Sequence, residues 1–155
     1  MRFTNFEIMN SKSKVYFFFE DNRISLKNRT ILKRFIETIF VKEQKNLKSV
    51  NYIFCSDNEL LRLNQLYLGH NYYTDIITFD LSENGNSISG EVYISVSRVK
   101  ENARKIRTTI TSELHRVIFH GALHLCGYKD KLPEELAEMR KAEDQYLKQY
   151  FMSVS

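Results

Sequence analysis

Two histidines, His120 and His124, stand four residues apart in the segment Arg116 to Lys131, RVIFHGALHLCGYKDK, and Asp130 follows six residues after the second. On a helix that spacing stacks both side chains on one face, so their imidazoles can approach one cation at the roughly 2 Å distances of zinc–nitrogen bonds. Gly127 can end such a helix in the left-handed conformation, which turns the chain back and brings the Asp130 carboxylate over the same face. Three protein ligands leave a coordination position open for water, the pattern of a catalytic rather than a structural zinc. The pair also sits in an otherwise apolar run (Leu114, Val117, Ile118, Phe119, Leu123, Leu125), where two unpartnered imidazoles would be costly to bury. Zinc proteases of the HExxH kind carry a glutamate after the first histidine as general base. Gly121 stands there instead, which disfavours that chemistry and permits close approach of backbone or substrate.

Other polar residues are weaker candidates. His115 lies five residues before His120 and points away from the pair by more than a right angle, the place of a structural histidine. Cys126, two residues after His124, is turned about 200° around the helix and suits a packed thiol. His70 follows Gly69 in a loop beside the apolar segment Asp75 to Leu81 and is a candidate substrate or phosphate contact. The basic residues of KNRTILKR and KIRTTITSELHR could follow a phosphate backbone, or simply form solvated helix faces.

The elements that must position these groups are legible as well. Val15 to Glu20 reads as a strand, Lys27 to Val41 as a helix with Ile31, Phe35, Ile36 and Ile39 at helical spacing, and Val50 to Cys55 as a second strand. Ser56-Asp57 can cap a helix to about Tyr67, stopped by Gly69. Asp75 to Leu81 and Gly90 to Ser95 read as strands joined as a hairpin by the turn-rich SENGNSIS. Ser95 or Ser97 can cap a helix through about Lys105, Thr111 to Cys126 forms the histidine helix, and Leu132-Pro133-Glu134-Glu135 opens the last one. This order predicts an α+β fold in which one small mixed sheet of about four strands packs with about five helices and the metal site lies on a central helix.

The chain has 155 residues, with 43% hydrophobic and 27% charged residues, which fits one domain over residues 1–155 with a core of its own. The formal charge of +4 permits a nucleic-acid partner without requiring one. Only Cys55 and Cys126 are present, so the chain reads as reduced rather than disulfide-bonded. MRFTNFEIMNSKSK lacks the apolar stretch of a signal peptide, and Val15 to Phe19 is far shorter than the ~20 residues of a membrane-spanning helix. A cytoplasmic protein with no membrane partner is expected.

The segment HGALHLCGYKD closely resembles the signature of the YbeY family, which has a third ligand ten positions after the first histidine. LNQLY at Leu63 to Tyr67 with TDIITFD at Thr74 to Asp80 is similar to that family's LNxxYR...TDVLSF block, and GEVYIS at Gly90 to Ser95 to its GDIxIS strand. The resemblance runs from about Val50 to Glu143 with the blocks in order. It implies an enzyme: a Zn2+-dependent, single-strand-specific endoribonuclease with one ion per chain, held by His120, His124 and Asp130. Such an enzyme acts in maturation of the 3′ end of small-subunit rRNA and in ribosome quality control, with rRNA and the small ribosomal subunit as partners. A metal-dependent hydrolase of another substrate such as peptides, or a non-enzymatic ribosome assembly factor, are the alternatives. Two residues depart from the pattern. Asp130 stands where the family usually has histidine, preceded by Lys129 in place of aspartate, which leaves the native metal open. Leu68 stands where the block usually carries an arginine, and His70 or Arg62 are nearby cations that could take over its contact.

Overall fold

The computed structural model describes residues 12–155, so most of the segment read as free of a signal peptide lies outside the described residues. The elements run β1 (Val15–Phe19), α1 (Arg29–Lys42), β2 (Leu47–Cys55), α2 (Asp57–Leu68), β3 (Ile76–Asp80), β4 (Ile88–Ser95), α3 (Val96–Lys105), α4 (Ile110–Leu125) and α5 (Pro133–Val154). The four strands form one sheet in the order β1-β2-β4-β3. β1, β2 and β4 are parallel, and β3 pairs antiparallel with β4 as the expected hairpin. The α+β arrangement of four strands and five helices thus agrees with the sequence reading, including its order of elements.

Parallel neighbours need a crossover between them, and α1 supplies it between β1 and β2. Along β2 successive side chains alternate between two apolar surfaces. Val50, Tyr52 and Phe54 join the main core with α1, α4 and α5, whereas Ile53 and Cys55 pack with Leu60 and Leu63 of α2 and Ile77 of β3. The sheet is therefore covered on both faces, which explains why its central strand is almost continuously apolar.

Local chemistry sets the helix starts. Ser56 Oγ accepts from the Glu59 amide at 3.1 Å, Ser95 Oγ from Arg98 at 3.2 Å and Thr109 Oγ1 from Ser112 at 3.0 Å, each a side-chain N-cap. Ser95, rather than Ser97, is thus the cap of α3. Pro133 opens α5, where its missing N–H leaves no donor unpaired. Of the boundaries that differ from expectation, two have a clear local cause. β2 begins at Leu47, because Leu47 pairs with Ile88 across a register shift that breaks the alternation a sequence reading relies on. α1 starts only after Asn28, a left-handed residue (φ 55°) whose side chain makes no capping bond, so no cap signal marks it.

α4 crosses β3 and β4 at close range. A Cβ on Gly121 would lie 2.7 Å from Val92 Cγ1 of β4, closer than two carbons can pack, so the glycine expected to permit close approach does so for helix against sheet. The buried Tyr52 hydroxyl donates to the Ile118 carbonyl at 2.9 Å and pins the same helix to β2. The helix that carries the histidines is thus among the most firmly seated elements of the fold.

Candidate metal centre

His120 and His124 sit one turn apart on α4, with ring centroids 4.5 Å apart and planes at 84°. α4 ends at Leu125, and Gly127 at φ +104° reverses the chain in a conformation that side chains other than glycine rarely take. Asp130 returns over the helix, where its Oδ2 lies 3.2 Å from His120 Nε2 and 3.1 Å from His124 Nε2. One ligand atom from each of the three residues lies within 4.8 Å of the others, a group able to hold a metal ion.

The far sides of both rings are fixed. His124 Nδ1 donates to the Tyr128 carbonyl at 3.0 Å, which requires the proton on Nδ1 and leaves Nε2 with a lone pair. His120 Nδ1 faces Glu143 Oε2 of α5 at 2.9 Å, which sets the same tautomer. Two lone pairs therefore face one carboxylate, an arrangement that repels unless a cation or an additional proton lies between them. Imidazole nitrogens and a carboxylate oxygen are ligands of divalent metals, and a carboxylate or carbonyl behind each histidine is the usual outer arrangement of such sites, so the residues present fit an ion.

Charge beneath the site is balanced by one guanidinium. Arg116, one turn before His120, donates from Nε to Glu113 Oε2 and from Nη1 to Glu143 Oε1, both at 2.9 Å. Glu113 and Glu143 are buried, at 1% and 2% exposure, and such carboxylates persist only when paired. Burial alone would lift Glu143, but hydrogen bonds from His120 and Arg116 outweigh it and hold its carboxyl below the usual range. Glu113 in turn raises Arg116 despite its partial burial, so Arg116 stays protonated. Asp75 at the foot of β3 lies 3.8 Å from Arg116. Its carboxyl is nevertheless pushed up by burial.

The histidines open into a cavity of about 620 Å³ whose walls include β3, the loop after α2 and the start of α5. His70 lines it, and its ring stacks on that of Tyr72. Leu68 lines it too, in the place of the absent arginine. Arg62 does not substitute there. It is outside the lining, held by Glu59 through bonds of 2.9 and 2.7 Å one turn back on its own helix. The cations that do line the cavity are Arg116, Lys131 and Arg140. Of the two basic segments, only Arg116 reaches the cavity, and its guanidinium is taken by carboxylates. His115 and Cys126 are both buried, at 4% and 7% exposure, away from the ligand group.

Sequence reasoning passed over Glu143, Lys131 and Arg140. Glu143 carried a signal: it falls within the buried stripe Met139, Ala142, Tyr146 and Tyr150 of α5, where a lone carboxylate implies a buried partner. Lys131 and Arg140 carried none, since exposed cations on a helix or loop are ordinary.

Comparison with known proteins places this geometry. Residues 8–151 match the family model described as Endoribonuclease YbeY. A Cytophaga hutchinsonii protein named Endoribonuclease YbeY is 48% identical over 130 residues, which span 84% of this chain and 91% of that protein. A Bacteroides fragilis protein of the same name is 47% identical over 112 residues, 72% of this chain and 80% of its own. The solution structure of TM1509 from Thermotoga maritima superposes with a TM-score of 0.61 at 30% identity, covering 90% of each chain. With nearly its whole length matched by the family and by these relatives, the chain belongs to the YbeY family.

Proposed function

We propose that this protein is a zinc-dependent, single-strand-specific endoribonuclease that processes the 3′ end of small-subunit rRNA and takes part in ribosome quality control in the cytoplasm. The observation that carries the reading is the convergence of two oriented imidazoles and a carboxylate on one point at the edge of an open cavity. Family membership supports RNA as the substrate. No helix among the described residues is long and apolar enough to cross a membrane, which is compatible with the proposed location.

His120, His124 and Asp130 hold the ion through Nε2, Nε2 and a carboxylate oxygen. When bound, zinc supplies a Lewis acid that polarises a phosphodiester oxygen or makes water more acidic. Glu143 and the Tyr128 carbonyl keep both imidazoles in the ligating tautomer. Lys131 and Arg140 line the cavity without an ion pair among the described residues, and draw the phosphate backbone toward the centre. His70 contacts substrate from the opposite wall.

Incubating zinc-loaded protein with single-stranded RNA, duplex RNA and a denatured protein tests the assignment. Cleavage of the single strand alone is expected, abolished by His120→Ala and by His124→Ala. Product ends separate the two routes: hydrolysis by water leaves a 5′-phosphate, whereas attack by the RNA 2′-hydroxyl leaves a cyclic phosphate. Cleavage of the denatured protein, or no turnover of any RNA, would overturn the reading.

A further inference from the structure

We propose that the stacked pair His70 and Tyr72 is a nucleobase subsite, which holds an unpaired base while the adjoining phosphate reaches the metal centre. The inference rests on the RNA-cleaving reading above and assigns a recognition element to it.

Tyr72 is 56% exposed although it is a large aromatic side chain lining the cavity that His120, His124 and Asp130 share. Its ring stacks on His70 with centroids 5.1 Å apart and planes at 18°, and a hydrogen bond of 3.0 Å joins Tyr72 Oη to His70 Nδ1. The loop beneath is tied down at several points. The His70 amide donates to the Asn64 carbonyl at 3.1 Å, Asn64 Nδ2 donates to the Tyr72 carbonyl at 2.9 Å, and Gln65 Nε2 to Asn71 Oδ1 at 2.6 Å. Gly69 at φ +66° makes the reversal that lets α2 hold this loop. The backbone that carries both rings is therefore tied down before any ligand arrives, and the ring-to-ring hydrogen bond links the two side chains, which lowers the ordering entropy that opposes binding.

The chemistry of the surroundings selects the occupant. An exposed aromatic face next to a cavity lined by Lys131 and Arg140, which have no ion pair among the described residues, combines the two elements by which single-stranded nucleic acid is bound: a stacking platform and a charge that attracts phosphate. A duplex keeps its base faces against one another and cannot use the platform, so this pair supplies discrimination for single strands. Every base has a π-face, so the subsite should be tolerant of base identity.

The sequence contains no tryptophan, so Tyr72→Trp places a single reporter in the subsite. Titration with a 2′-O-methylated single-stranded 12-mer, checked to remain intact, is expected to quench that emission. Met152→Trp, at a position 69% exposed and outside the cavity lining, should not respond. Tyr72→Ala should weaken binding of the same oligonucleotide roughly 5- to 150-fold, the range one stacked base provides, while Tyr72→Phe keeps it and duplex binding is unchanged by either. Unaltered single-strand affinity in Tyr72→Ala overturns the subsite, as does unaltered emission of the Tyr72→Trp protein at saturating RNA or a surface that responds only to a protein ligand. If the wild type cleaves single-stranded RNA in a metal-dependent way and Tyr72→Ala binds it as tightly, the subsite alone falls. If the wild type binds no RNA, the functional reading falls and the subsite with it.

Discussion

His115 and His124 lie on the same helix, nine positions apart, and the protein uses them in opposite ways. His115 is 4% exposed and stacks on Tyr150 with centroids 5.1 Å apart and planes at 23°, with Phe119 and Phe151 at its edges. Its Nδ1 donates to the Thr111 carbonyl one turn back at 2.7 Å, and the ring serves as an aromatic plate in the core. His120 and His124 are less deeply buried, and each commits Nδ1 to a fixed partner while turning Nε2 toward Asp130. A histidine's role thus follows from what its second nitrogen faces, and the partner fixing the first nitrogen is part of the site.

Arg116 follows His115 in sequence but pairs with Glu113 and with Glu143 behind His120, and changing it should have the largest effect. Arg116→Met leaves Glu113 and Glu143 buried without their counter-charge, and stability should fall by about 3–5 kcal/mol in urea unfolding. Next, His115→Ala removes a packed ring from the core and should cost about 2–4 kcal/mol, whereas His124→Ala should change stability by less than about 1 kcal/mol while abolishing RNA cleavage. Equal destabilisation by the two would erase the distinction between core and ligand histidine. Glu143→Gln keeps the shape behind His120 but removes its charge, so zinc affinity should drop about 10- to 100-fold in a chelator competition.

The smallest effect concerns pH. Burial holds the His115 pKa below its ordinary 6.5, only partly offset by its hydrogen bond to the Thr111 carbonyl. Below pH 6.5 the unfolded chain therefore takes up a proton that the folded chain resists. Stability contributed at this position is complete above that pH and declines as pH falls toward the lower folded value, by at most about 1.4 kcal/mol per unit. Melting curves between pH 5 and 8 should show a shallower acid decline in His115→Phe than in the wild type.

How much of this was legible in the sequence follows from the range of each interaction. The helical pair, the returning Asp130 and the turn at Gly127 lie within eleven residues and obey local geometry, so spacing alone brought them together. The element order was legible because periodicity and caps such as Ser56 and Ser95 are local signals too. Glu143 was not, since it reaches His120 from 23 residues away across two helices, and only tertiary packing decides which buried carboxylate meets which ring. Between His70 and Arg62, the two cations offered in place of the arginine, the sequence could not choose, because nearness along the chain says nothing of direction: Arg62 turns to Glu59 on its own helix, whereas His70 lines the cavity. The Tyr72 stack likewise depends on Asn64 holding a loop carbonyl, a contact no periodicity announces.

Metal content is the decisive quantity for the proposed centre. Protein purified without chelators and analysed for bound metal should carry one zinc ion per chain in the wild type and in His115→Phe, and almost none in His120→Ala or His124→Ala. Equal metal content in all four proteins would refute the centre, because the ion would then be held by groups other than the two imidazoles facing Asp130.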